Sequence, residues 1–208
     1  MIKIWGRTNS VNVQKVLWCA GELRLEFERI DAGLAFGHNN EDWFLALNPN
    51  GRVPLIEDGG LALWESNSIV RYLCAKHDHG GLYAASPERR AAAEKWMDWQ
   101  LSTLARPLSI AFWNLVRRSA AERDLAAVAA AVAEMNGALT LLDRHLGTHA
   151  FVAGEAFSMG DIPVGAAAYR WLALEGIERP AWPALERWHA ALGERPAFRE
   201  HVAGIPLS

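Results

Sequence analysis

The hydrophobic pattern of the chain changes near residue 79. Before that point, strand-like runs such as "IKIW" and "LEFERI" alternate with helical ones, and residues 11–23 follow the 3.6-residue period of an amphipathic helix. After "DHGGLYAASP", residues 78–87, every periodic segment is helical. We therefore expect an α/β domain at residues 1–79, a linker at 80–87 and an all-α domain at 88–208.

Two runs of the first half, "VPLIED" and "LALW", flank Asp58-Gly59-Gly60 and predict a β-hairpin, which a helix from Ser66 follows. In the second half we expect a helix at 88–117 that kinks at Pro107, and another at 121–146. "FSMGDIP" predicts a further helix start, with Ser158 as N-cap and Asp161 three residues later as in a capping box. Segments at 183–192 and 196–202 complete the helical half.

Composition excludes several classes of protein. The net charge is −3 and no basic cluster is visible, which argues against a nucleic-acid partner. The most apolar run, "LAAVAAAVA" from Leu125, is short for a bilayer span, and the chain opens on a strand without a leader. We expect a cytoplasmic protein without a membrane partner.

The sequence gives no sign of a metal site or of a bound cofactor. Cys19 and Cys74 stand alone, without the spacing of metal ligands or of a redox motif. His77-x-His79 is better explained as a solvated helix end than as a ligand pair.

Three polar positions at the ends of sheet elements each allow a structural and a functional interpretation. Ser10 can cap the helix that follows it, or it can donate to an anion held at that helix end, with Asn12 as a second donor. Glu65 and Ser66 can likewise be a routine helix start, or they can hold the ammonium and carboxylate groups of an α-amino acid.

The dipeptide Val53-Pro54 is the fourth such feature. Proline at the start of a strand removes a backbone donor from the sheet, which an edge strand tolerates. The alternative is a cis peptide that leaves the backbone of Val53 free to pair with an extended, peptide-like ligand. The dipeptide alone does not decide between them.

Taken together, these motifs resemble the cytosolic glutathione S-transferase superfamily, in particular its bacterial, serine-type, theta- and nu-like members. "NPNGRVPLIEDGGLALWESNSIVRYL" is similar to the stretch from the family's cis-proline loop to its γ-glutamyl site. "FSMGDIPVG" and "WPALERWHAALGERPAF" resemble the signatures of its helical domain. The resemblance covers essentially the whole chain and implies a thioredoxin-like domain, then a helical domain, usually in a homodimer.

The resemblance also implies roles for these residues. Ser10 takes the place of the catalytic hydroxyl and Asn12 that of a supporting amide, although Thr8 and Asn9 offer polar side chains beside them. Glutathione, a co-substrate rather than a cofactor, contacts the remaining positions: Arg52, Val53, Pro54, Glu65, Ser66 and His38, where His38 or a neighbouring loop Asn faces the glycine carboxylate.

The second substrate approaches from the helical domain in this family. On the long helix, Arg106, Ile110 and Trp113 recur at helical spacing and are the candidate wall of a pocket for a small hydrophobic electrophile. We expect a glutathione transferase with a role in detoxification. Two alternatives are a glutathione-dependent reductase of disulfides or peroxides, as in nu-like members, and a non-catalytic binding module with the same fold.

Overall fold

The computed structural model describes residues 1–78 and 80–208. The predicted domain boundary at residue 79 and the second histidine of the His77-x-His79 pair lie outside the described residues.

The first half is built on a small mixed sheet. Its strands are β1 (Ile2–Trp5), β2 (Phe27–Ile30), β3 (Leu55–Asp58) and β4 (Leu61–Trp64), in the order β2-β1-β3-β4. β1 runs parallel to β2, and β3 is antiparallel to both β1 and β4. The connecting helices are α1 (Val11–Glu22), α2 (Asp42–Leu47) and α3 (Ser66–His77). The parallel pair needs the crossover helix α1, whereas the hairpin needs only Gly59 and Gly60, both at positive φ.

The second half is helical where the structure describes it. The α-helices are α4 (Pro87–Trp99), α5 (Ala105–Phe112), α6 (Leu125–Leu146), α7 (Asp161–Leu172), α8 (Pro183–Gly193) and the short α9 (Pro196–Phe198). Three π-helical turns extend them, at Gln100–Leu104, Trp113–Arg117 and Arg199–Ala203. The α/β-then-all-α fold class is confirmed.

The helix predicted at 88–117, here called the long helix, departs from α-helical geometry before Pro107, the predicted position of its kink. The π turn Gln100–Leu104 precedes Pro107, which cannot donate to the carbonyl of Thr103 because proline has no N–H. The next helix starts at Leu125 rather than at residue 121, because Asp124 caps it by accepting from Ala127 N at 2.9 Å.

Helix α7 begins at Asp161, so the predicted N-cap at Ser158 is wrong, although half of the capping box is present. The Asp161 carboxylate accepts from Ser158 N at 2.9 Å and from Ser158 Oγ at 3.0 Å. It also accepts from Val152 N and from Trp188 Nε1, both at 2.9 Å. Burial raises the pKa of Asp161, which these four hydrogen bonds oppose. This carboxylate joins the start of α7 to α8 and to the loop before it.

Helix α6 is 22 residues long and apolar enough, by length and composition, to span a membrane. The nine-residue run from Leu125 considered in the sequence analysis is only its first part. Its apolar stripe is nevertheless buried inside the helical half: Met135, Leu139, Leu142 and Leu146 are fully buried. The helix packs against α5 and α8. These contacts favour a helix that packs on the helical domain through one buried apolar stripe.

Helix α1 is shared between the two halves of the molecule. It packs against α3 on one side and α7 on the other. The Trp18 ring, fully buried, contacts Phe157 and Phe198 at centroid distances of 5.7 and 4.8 Å. Near the end of α1, Glu22 pairs with Arg195 at 2.6 Å. One continuous core therefore joins α1 to the helical domain.

Candidate active site

A cleft of about 770 Å³ opens at the N-terminal end of α1. One wall comes from the sheet domain: the start of α1, the loop before β3 and the junction between β4 and α3. The other wall comes from the helical domain, chiefly Leu108, Ser109, Phe112 and Trp113. Most of the residues singled out from the sequence lie on this cleft, namely Ser10, Asn12, Arg52, Val53, Pro54, Glu65, Ser66 and Trp113.

Ser10 is the N-cap residue of α1 by position, but its side chain does not cap the helix. It has the extended backbone of an N-cap, φ −86° and ψ 121°, and its hydroxyl makes no hydrogen bond to the first turn of the helix. The residue is 7% exposed and lines the cleft. Its hydroxyl is therefore available to an anion at the positive end of α1, so the structure favours the functional interpretation.

Asn12 is oriented by two neighbours that both use its amide oxygen. Lys15 Nζ donates to Asn12 Oδ1 at 3.0 Å, and Ser66 Oγ donates to the same oxygen at 3.4 Å. The amide N–H groups of Asn12 therefore remain available as donors to the cleft. The side chain can act beside Ser10 as a second donor to a developing anion.

Lys15 is a buried cation beneath the cleft that the sequence analysis did not identify. The residue is 0% exposed, and Nζ also donates to Gln100 Oε1 at 2.7 Å and to Ser66 Oγ at 3.5 Å. Burial lowers the pKa of Lys15 to about 7, an effect that the charge of Glu65 partly opposes. Lys15 thus joins α1, the start of α3 and the π turn Gln100–Leu104. A lysine among the apolar residues of α1 was the only available signal.

The loop before β3 is held by asparagines. The Val53–Pro54 peptide is cis, and both residues line the cleft. Asn48 Nδ2 donates to Arg52 O at 2.6 Å, and Asn39 Nδ2 donates to Gly51 O at 2.8 Å. The backbone of this loop is fixed from behind and lies open on the cleft side.

Glu65 has a backbone conformation that residues other than glycine rarely adopt, with φ +70°. Such a conformation costs on the order of 1–3 kcal/mol and is concentrated at functional sites. Glu65 is the N-cap of α3 by position, and the helix begins at Ser66, the predicted residue. The carboxylate and the helix start together present both charge signs to the cleft.

Residues 1–75 match the family model of the glutathione S-transferase N-terminal domain, and residues 125–191 match that of the C-terminal domain. The chain is 45% identical over 210 residues to Glutathione S-transferase GstB of Escherichia coli strain K12, with both chains covered completely. The chain belongs to the glutathione S-transferase family.

Two further similarities agree with this assignment. Glutathione S-transferase 3 of Zea mays is 30% identical over 213 residues, covering 99% of this chain and 95% of its own. The theta class glutathione S-transferase of the citrus canker pathogen Xanthomonas axonopodis pv. citri, solved with glutathione bound, superposes with a TM-score of 0.96 at 45% identity, covering 100% of this chain and 99% of that one. The predicted family and enzyme class are confirmed.

Within this family fold, the structure does not bring His38 to the cleft. His38 Nδ1 lies 3.0 Å from Glu41 Oε1, and the ring packs edge-on against Trp5 at 5.9 Å. Three asparagines of the neighbouring loops line the cleft instead, Asn39, Asn48 and Asn50.

The helical wall also differs from the sequence pattern. Arg106 is 76% exposed at its side chain and pairs with Glu134 on α6 at 3.6 Å, and neither Arg106 nor Ile110 lines the cleft. The cleft face of the long helix runs through Gln100, Ala105, Leu108, Ser109 and Phe112, with a step of five residues across the π turn, and Arg106 and Ile110 lie beside this face. Leu108 and Ser109 occupy the place assigned to Arg106 and Ile110.

Cys19 lies away from the cleft chemistry. Its sulfur is 3.6 Å from that of Cys74, and both residues are fully buried. The hydrogen bond between the two thiols, together with burial, raises the pKa of Cys19. A raised pKa suppresses the thiolate, so Cys19 is unsuited to the cysteine-type chemistry of related folds.

Proposed function

We propose that this glutathione transferase binds glutathione along the sheet side of the cleft and activates its thiol with Ser10. The observation that carries the proposal is the uncapped, buried hydroxyl of Ser10 at the start of α1. A thiol at that point meets an O–H donor and the positive helix end, and both favour thiolate. A free thiol is only a few per cent ionised at pH 7, so lowering its pKa raises the reactive fraction.

The remaining cleft residues support this orientation of glutathione. Glu65 and the N-terminus of α3 suit the ammonium and carboxylate of the γ-glutamyl end, and the exposed backbone of Val53 suits the cysteinyl amide. Arg52, with Asn39 or Asn50, suits the glycine carboxylate. The Xanthomonas relative with glutathione bound supports the assignment of this cleft.

The electrophile would enter between α1 and α5. Leu108, Phe112 and Trp113 provide an apolar and aromatic surface, with Trp113 48% exposed. Such a wall suits a hydrophobic acceptor near the sulfur. Assembly as a homodimer, a cytoplasmic location and a role in detoxification follow from the family resemblance and belong to the same proposal.

The deciding experiment follows the absorbance of bound thiolate across pH in the wild type and in Ser10→Ala, with Thr8→Val as a matched control, since Thr8 does not line the cleft. We expect Ser10→Ala to raise the pKa of the bound thiol and to lower kcat by about 10-fold or more, with a smaller change in glutathione affinity. Equal loss of affinity and kcat would show a binding role for Ser10 instead.

The pairing of Ser10 with a donor-oriented Asn12 supports a second candidate, glutathione-dependent reduction of disulfides or peroxides. Reduction of a disulfide releases a second thiolate, and reduction of a peroxide releases hydroxide or alkoxide, so a second donor beside Ser10 would serve either leaving group. Comparing hydroxyethyl disulfide with an aryl halide at saturating glutathione separates the two activities. A non-catalytic binding module would show neither activity while still binding glutathione.

A further inference from the structure

One end of the cleft carries a concentration of positive charge that the proposed glutathione contacts do not use. Among the described residues that line the cleft, four are arginines and one, Glu65, is a carboxylate. Arg52 lies with Glu65 on the glutathione side. The other three are Arg7, from the loop after β1, Arg117, from the end of the long helix, and Arg170, from α7.

These three guanidinium groups lie close enough to repel one another. The charge of Arg117 contributes to lowering the pKa of Arg7, after burial. Burial, then Arg117 and Arg7, lower the pKa of Arg170 to about 10. Across residues 1–78 and 80–208, none of the three forms an ion pair with Asp or Glu. A net-negative protein has therefore placed three arginines at one end of its cleft with no Asp or Glu carboxylate of those two ranges paired to them.

The cluster also leaves buried donors unused. Arg170 is 5% exposed, donates to Asn9 O at 2.9 Å and Gln14 Oε1 at 3.2 Å, and stacks on the Phe112 ring at 4.5 Å. Its Nε has no hydrogen-bond partner in the described part of the chain, and the same is true of Nε in Arg7 and Arg117. Unsatisfied buried donors are costly, so hydrogen bonding within the chain does not account for the placement of these three arginines.

The cluster is placed where an acceptor must lie. The three arginines line the same cleft as Ser10. The Cζ atom of Arg117 lies 5.6 Å from the ring centroid of Phe112 and 5.5 Å from that of Trp113. Arg117 also donates to the main-chain oxygen of Ser208. A flat acceptor on the aromatic wall would thus have its far end among guanidinium groups.

From this arrangement we propose that the preferred acceptor carries an anionic group, a carboxylate or a group of similar charge, which Arg7 and Arg117 bind while its electrophilic carbon faces Ser10. The inference rests on the proposed function and specifies the acceptor further. Arg170, held by its own contacts, adds to the positive field and positions the aromatic wall.

A pair of matched acceptors tests the inference: para-chloro-meta-nitrobenzoate and its methyl ester. In both, the glutathione sulfur attacks the ring carbon that bears chlorine. The C–S bond forms, the C–Cl bond breaks, chloride leaves with the bonding pair, and the thiol proton passes to solvent. Each kcat/KM, measured at saturating glutathione, is divided by the uncatalysed rate constant of the same acceptor.

We expect the wild type to favour the benzoate. Arg117→Gln and Arg7→Gln should each lower the benzoate-to-ester ratio by about 10-fold, the loss of one charged hydrogen bond, while Arg117→Lys restores part of it. Arg144→Gln, an exposed arginine on α6 that does not line the cleft, is the control and should leave the ratio unchanged.

If an arginine variant fails to fold, the wild type alone still decides the question. Raising salt at saturating glutathione should weaken turnover of the benzoate more than that of the ester. Equal wild-type efficiency for both acceptors, or equal losses for both in the arginine variants, would overturn the inference and leave the transferase proposal standing. Equal losses for both acceptors in the arginine variants would mean that the arginines act on the glutathione thiolate rather than on the acceptor. Conjugation of neither acceptor would overturn the proposed function and this inference with it.

Discussion

Replacing Lys15 with methionine should change how the stability of the protein depends on pH. Lys15 is fully buried, and burial lowers its pKa from the ordinary 10.5 to about 7. Between those values the unfolded chain binds one more proton than the folded chain at this site, so stability rises with pH across the window and is lowest below pH 7. The folding equilibrium constant gains about a factor of ten for each pH unit in this range.

The measurement is the free energy of unfolding in urea at pH 7.5, 8.5 and 9.5 for the wild type and Lys15→Met. Over these two pH units the wild type should gain about 3 kcal/mol relative to the variant. Every other titrating group cancels in the difference. The variant also carries a constant penalty on the order of 1–3 kcal/mol, because the oxygens of Asn12 and Gln100 lose a buried donor.

The exposed Lys3→Met is the control and should show no such pH-dependent difference, because Lys3 is solvated in both states. A difference between wild type and Lys15→Met that stays constant up to pH 9.5 would refute the reasoning. It would mean that the folded protein keeps an ammonium at Lys15, with Glu65 and the two amide oxygens outweighing the cost of burial.

Two further predictions concern stability and can be checked by thermal or urea unfolding. Asp161→Ala should lower the free energy of unfolding by about 3 kcal/mol, because four donors lose a buried acceptor; a loss below ~1 kcal/mol would contradict this. Gly165→Ala should cost about 1–3 kcal/mol, because a Cβ there would lie 2.6 Å from Leu192 Cδ1 and 3.0 Å from Trp18 Cη2. Gly137→Ala, on α6 with open space around it, should instead stabilise by about 0.5–1 kcal/mol, so equal effects of the two would argue against the packing explanation.

Sequence reasoning worked best where the signal is local. The Asp58-Gly59-Gly60 hairpin and the helix starting near residue 11 follow from turn chemistry and periodicity within a few residues. Helix starts were less accurate, as at Asp161 and Leu125, because several neighbouring polar residues can serve as the cap and periodicity does not choose among them.

The site was predictable only in part, for a different reason. Ser10, Val53 and Glu65 stand at ends of sheet elements, and the order of those elements brings them to one cleft. Lys15 and Arg170 gave no comparable signal, since their partners come from segments far away in sequence. Arg106 and Ile110 were misplaced because periodicity shows which residues share a face of the helix but not which face meets the cleft.

The π turn Gln100–Leu104 has a consequence for how the length of the chain can vary. It accommodates one surplus residue locally while α4 and α5 on either side keep α-helical geometry. Deleting one residue within the turn would restore an ordinary helix and leave Ser109 and Phe112 facing the cleft. The same deletion inside α5 would rotate the rest of the wall by about 100°. Gln100–Leu104 is thus a place on the long helix where a one-residue deletion can pass without altering the acceptor side of the enzyme.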